Sequence, residues 1–208
     1  MKGPLFYSKI LLFGEYGIIQ DSKGLSIPYN FYNGALKKED HPSPEAIASN
    51  GHLKRFVTYL ESLQTEQPDL VQFDIATLQK DVNEGMYFDS SIPQGYGVGS
   101  SGALVAAIYD KYAQHKITVL ENLTREKLLE LKTIFSQMES FFHGKSSGLD
   151  PLNSYLSIPI LINSKDNIEA TGIPTQSFDG KGAVFLLDSG IVGETAPMVN
   201  IFMENLKD

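Results

Sequence analysis

Residues 95–102, Gly95-Tyr96-Gly97-Val98-Gly99-Ser100-Ser101-Gly102, set three alternating glycines and two hydroxyls directly before an apolar segment. Glycines let a backbone close on an anion and turn its N–H groups inward, and a helix that starts there adds partial positive charge. A hydroxyl in the same place can reach a magnesium ion. The stretch is a phosphate cradle in principle, although a glycine-rich turn with a serine cap has the same composition. A second group of residues is carboxylic. Glu139 lies four residues after Phe135 and three before Phe142, at the border of an apolar helical stripe. A carboxylate there pays for lost hydration unless it is paired or holds a cation, or unless its end reaches out to water. Asp150 follows Ser146-Ser147-Gly148, where an acidic residue serves equally as a first-turn partner of a helix dipole. His143 stands next to Gly144 at a helix stop and suits the last carbonyls of that helix. Lys9 interrupts a strand-like run that continues Ile10-Leu11-Leu12-Phe13, so it either faces water on a sheet edge or aims its ammonium at an anion.

The elements that must position these groups follow from periodicity. Leu5 to Phe13 and Leu25 to Tyr32 read as strands, the second broken by Pro28. Pro44 to Leu63 reads as a helix with proline in its first turn, Val71 to Ile75 alternates as a strand, and Met86 to Phe88 leads into the glycine loop. Ala103 to Tyr112 and Glu126 to Phe142 read as helices, and Ser146 or Ser147 as a new helix start. Strands are expected at Ser157 to Ile162 and Ala183 to Leu187, and a helix at Ala196 to Leu206. A domain boundary falls in the turn-rich stretch between Ser164 and Gly182.

Composition narrows the function classes. The 208 residues carry 17 Lys+Arg against 25 Asp+Glu, a net charge of −8, so no basic face is available for general nucleic-acid binding. Any phosphate must be held locally. With no cysteine there is no disulfide frame, thiolate metal site or thiol nucleophile, and a cytoplasmic location is expected. No apolar run reaches the roughly 18–20 residues of a membrane span, and no leader is visible, so no membrane partner is expected.

The loop admits two further specific readings. Gly97 to Gly102 matches the dinucleotide fingerprint G-x-G-x-x-G, followed by a helix, a strand-like Ile117 to Leu120 and an acidic Glu121, which would make the protein an NAD- or FAD-dependent oxidoreductase. That fingerprint should follow a buried strand at once, whereas Asp89, Ser90, Ser91, Pro93 and Gln94 intervene. The Walker pattern fails because no lysine follows the glycines.

Taken in order, Ser8-Lys9-Ile10-Leu11-Leu12-Phe13-Gly14-Glu15-Tyr16, then Pro93-x-Gly95-x-Gly97-Val98-Gly99-Ser100-Ser101, then His143-Gly144-x-x-Ser147-Gly148-x-Asp150 resembles the GHMP kinase superfamily, and within it the mevalonate kinase type. The resemblance implies an α/β fold, more narrowly an α+β two-layer sandwich, and ATP-dependent phosphoryl transfer to a small-molecule alcohol, mevalonate first among them. It implies Mg2+ held by Ser101 and Glu139, and Asp150 and Lys9 as the catalytic pair. Pro93, Gly95, Gly97, Gly99, Ser100, Ser101 and Gly102 would hold the nucleotide, and Glu15, Tyr16, His143, Ser147 and Gly148 would lie near the acceptor. A homodimer is a further expectation. The chain departs from the family pattern at Gly102, where alanine is usual, at Tyr16, where histidine is common, and at Pro151, where asparagine is usual. The family's third motif, a late glycine-rich loop, is not found, so the expectation is a truncated chain. Residues 1–165 would be the ATP-binding N-terminal domain and 166–208 the start of a second, with a kinase-like relic without turnover as the alternative.

Overall fold

In the computed structural model, which describes residues 4–118, 123–172, 186–187, 190–193 and 195–206, one antiparallel sheet is covered by a layer of helices. The long central strand β2 (Gly24–Lys37) pairs along one edge with β1 (Phe6–Phe13). Its other edge is shared, with β3 (Tyr87–Ser90) at one end and β4 (Ile160–Ser164) at the other. A further strand, β5 (Asn167–Ala170), follows residue 165 and pairs with β4 in the same sheet. Pro28 sits inside β2 opposite Lys9, yet it costs no ladder bond, because β3 and β4 reach only Gly34–Lys37 and Gly24–Ser26 and leave its outer edge unpaired.

Among the described residues the α-helices are α1 (Pro44–Glu66), α2 (Ile75–Asn83), α3 (Ser100–Tyr112), α4 (Arg125–His143), α5 (Leu149–Leu156) and α6 (Thr195–Asn205). Their starts follow local chemistry. The Ser43 hydroxyl accepts from the Ala46 N–H at 3.2 Å ahead of Pro44, and the Thr124 hydroxyl accepts from the Lys127 N–H at 3.4 Å. Leu53, Leu60, Ile108, Leu131, Phe135, Met138, Leu152 and Ile160 form a continuous buried core, with Tyr109, Phe135 and Tyr155 packed edge to face.

Four expectations from the sequence are corrected. The strand at Val71 to Ile75 is a single bridge from Phe73 to Ala113, because the Asp74 carboxylate accepts the Thr77 N–H at 3.0 Å and starts α2, an unexpected helix. The strand expected from Ser157 begins at Ile160, since Ser157, at φ 52°, closes α5 in the left-handed region. The start expected at Ser146 or Ser147 lies at Leu149, with Gly148 as its cap. Ile117 and Thr118 form no strand. The rest of that segment with Glu121, the stretch 183–185, and Asp188 and Ser189 lie outside the described residues.

Helices α3 and α5 meet at their N-termini with no room to spare. A Cβ on Gly102 would lie 2.7 Å from the Asp150 carbonyl carbon and 2.7 Å from the Pro151 nitrogen, so this chain's departure from alanine is what lets the two helix starts touch. Gly102→Ala is therefore expected to destabilise the fold by about 1–3 kcal/mol through overpacking, read from urea midpoints, and an unchanged midpoint would contradict the close contact.

Candidate active site

β1 carries Lys9 into the interior. Its side chain is 10% exposed, and its ammonium lies 3.0 Å from Asp150 Oδ1 at the start of α5. A buried lysine without a partner is costly, so the reading in which Lys9 faces water on a sheet edge is set aside. The glycine loop lies directly on this pair. The Lys9 N–H donates to the Val98 carbonyl at 3.0 Å, and a Cβ on Gly99 would sit 3.1 Å from Lys9 Cγ and 3.8 Å from Asp150 Oδ2. Gly95, Gly97 and Gly99 all take positive φ, at 80°, 68° and 83°, which the alternating sequence anticipates. The loop ends at the N-terminus of α3, whose first-turn N–H groups at Ser100, Ser101 and Gly102 are the natural anion donors.

Glu139 is buried at 4% exposure on the apolar face of α4, beside Leu128, Leu131, Phe135 and Met138. Its two oxygens are both occupied. Ser101 Oγ donates to Oε1 at 2.9 Å, and the Ser146 hydroxyl donates to Oε2. Burial and the negative charge of Asp150 raise its pKa to about 7, against the opposing pull of the two hydroxyls and Lys9. His143, one turn further along α4, places Nε2 3.0 Å from Ser101 Oγ.

The remaining expected residues fall in three places. Gly148 packs against α4, where a Cβ would lie 2.1 Å from the Lys132 carbonyl oxygen. Ser147 is exposed and accepts the Leu149 N–H at 3.3 Å, a local turn contact. Glu15 is exposed and Tyr16 turns its ring to Phe202 of α6 at 5.7 Å, with the neighbouring Gln20 amide on Met203 Sδ at 3.3 Å. Pro93 is half-buried at the approach to the loop. Two participants were not expected. Ser146 links Glu139 to the start of α5 and passes its carbonyl to Ser136 Oγ at 2.6 Å, and Gly193 donates its N–H to the Gly95 carbonyl at 3.2 Å with Val192 against Gly95. The serine-rich turn was a visible signal for the first; nothing local marks the second.

Among the described residues no group of three or more His, Cys, Asp or Glu gathers to hold a metal by itself. One buried carboxylate with a hydroxyl on it still suits a hard cation whose other ligands are phosphate and water oxygens. Among the described residues all strand pairings are antiparallel, and there the dinucleotide fingerprint lacks the parallel βαβ unit it requires.

Residues 60–157 match the family described as GHMP kinases N terminal domain. That match covers a little under half of the chain. Among solved structures it is similar to the L. major mevalonate kinase in complex with R-mevalonate, at a TM-score of 0.52 and 18% identity over 100% of this chain and 64% of that one. It is also similar to the mevalonate kinases of Methanococcus jannaschii (0.46, 14%, covering 82% of this chain and 56% of that one) and of methicillin-resistant Staphylococcus aureus (0.42, 18%, 80% and 53%). The first likeness is one of fold. The chain thus spans just under two thirds of the length of the L. major enzyme and less of the other two. No curated protein sequence matches it. No helix among the described residues is long and apolar enough to cross a membrane.

The raised pKa of Glu139 fixes a sign. The folded chain keeps this proton to about pH 7 whereas the unfolded chain releases it near its ordinary 4.5, so the group lowers stability progressively as pH rises through that window. Glu139→Gln is expected to remove that decline, so that the variant's melting midpoint gains on the unaltered chain between pH 4.5 and pH 7. Parallel midpoints across the window would contradict it.

Proposed function

We propose that this chain serves an ATP-dependent kinase that phosphorylates a small-molecule alcohol, with mevalonate as the leading acceptor and magnesium as the metal. The observation that carries the reading is the Lys9–Asp150 pair, 3.0 Å apart directly beneath the glycine loop, with the Ser101–Glu139 pair on the neighbouring helices. The L. major protein's bound R-mevalonate and the mevalonate kinase fold it shares with this chain support the choice of acceptor.

Phosphoryl transfer asks a protein mainly for alignment and compensation of charge. Ser100, Ser101 and Gly102 offer N–H groups at the α3 N-terminus, and the glycine loop brings further backbone close enough to wrap phosphate oxygens. Ser101 and Glu139 would hold the cation, which relieves the desolvation cost of Glu139. When bound there, magnesium ATP supplies the phosphoryl group and neutralises its oxygens. Asp150 binds Lys9 through Oδ1 and leaves Oδ2 toward the loop to take the acceptor's hydroxyl proton. Lys9 orients Asp150 and offsets negative charge beside it.

Asp150→Asn keeps the shape of the side chain and removes the proton acceptor. The expected result in a coupled ADP-release assay with mevalonate is a fall in kcat of about 100-fold or more, with magnesium ATP affinity held. An unchanged kcat would remove Asp150 from the base role. Lys9→Met is expected to lower kcat in the same direction and to cost stability as well, because it leaves the partly buried Asp150 without its cation.

A further inference from the structure

Ser101 Oγ lies between two groups of α4, 2.9 Å from Glu139 Oε1 and 3.0 Å from His143 Nε2. Glu139 and His143 are four residues apart and therefore face the same side one turn from each other, and the first turn of α3 inserts the serine between them. A hydroxyl has one proton and two lone pairs. In its ionised form the Glu139 carboxylate accepts on both oxygens, from Ser101 on one side and from Ser146 on the other, and the Ser146 oxygen itself accepts the Gly148 N–H at 3.0 Å. The Ser101 proton is thus committed to Glu139, and the histidine contact closes only with Nε2–H as donor to a Ser101 lone pair.

We propose that His143 is a positioning residue whose Nε2–H holds Ser101 Oγ against Glu139 and leaves its second lone pair open, presetting these two side chains as a cation-binding pair. Without that donor a first-turn serine is free to rotate and bond to nearby backbone instead. This places His143 on the cation side of the site, whereas the family resemblance implies a place near the acceptor. It also separates the cluster from a Ser-His-acid hydrolase, in which a bare Nε2 takes the serine proton and the carboxylate stands behind Nδ1; here the carboxylate is bonded to the serine. The inference rests on the kinase reading for the cation and on geometry alone for the hydrogen bond, so each part has its own readout.

Nitrogen NMR of the His143 ring reads the first. The expected tautomer carries its proton on Nε2, and a ring protonated on Nδ1 with Nε2 bare would overturn the arrangement. Manganese titrated into the full chain with ATP, followed by electron paramagnetic resonance, reads the second. His143→Leu is expected to weaken manganese binding about 10-fold with the melting midpoint unmoved, and His143→Gln, whose amide N–H reaches a similar position, to restore most of it. Equal binding by His143→Leu and the unaltered chain would overturn the positioning role alone, as would a glutamine variant no better than the leucine one. Failure of the unaltered chain to bind manganese with ATP would instead overturn the kinase reading and with it the cation role of His143.

Discussion

A lysine and a glutamate, both nearly sequestered from water, meet at the junction of one strand and three helices, and the arrangement around them answers the cost of burying charge. Lys9 is tolerable because Asp150 lies 3.0 Å away, and Glu139 because two serine hydroxyls donate to it. Breaking either set leaves a charge with no partner in a poorly hydrated place, which is the expensive case. The glycines follow from the same constraint. A side chain at Gly99, Gly102 or Gly148 would push apart the loop, α3, α4 and α5, and with them the charges they hold at bonding distance. Fold and site are in this sense one problem: the helix N-termini that give the layer its packing also bring Ser101 and Asp150 to the buried charges.

The placement of Ser146 shows how the parts are coupled. Its hydroxyl bonds Glu139 on α4, its oxygen accepts from Gly148 at the start of α5, and its carbonyl accepts from Ser136. A shift of α5 therefore moves Asp150 and loosens Glu139 together. On the far side, the backbone bond from Gly193 to Gly95 and the ring contact of Tyr16 with Phe202 tie the later chain to the glycine loop and to the turn after β1.

Long, strongly periodic elements were legible in the sequence. α1, α3 and α4 are visible as apolar stripes with caps, and the positive-φ loop is visible as alternating glycines. α2 was not, because its nine residues begin in an alternating stretch and only Asp74 marks the start. β5 has four residues and is fixed by pairing with β4, a non-local contact that no window of sequence displays. At the site, residue types alone left Lys9, Glu139 and Asp150 each with an ordinary explanation. Proximity decides two of them, since Lys9 is buried on Asp150 and Glu139 on Ser101 and Ser146. The orientation of His143 toward Ser101 depends on how α3 seats against α4, and spacing along the chain carries no information on that.

The central claim is that buried Glu139 and the glycine loop together make a site for a metal-bound nucleotide. Calorimetric titration of ATP into the chain, with and without magnesium and with NAD alongside, tests it most directly. The account predicts ATP binding that magnesium strengthens, a magnesium effect that Glu139→Ala abolishes, and no binding of NAD. ATP binding indifferent to magnesium and to Glu139, or metal-independent binding of NAD, would contradict it.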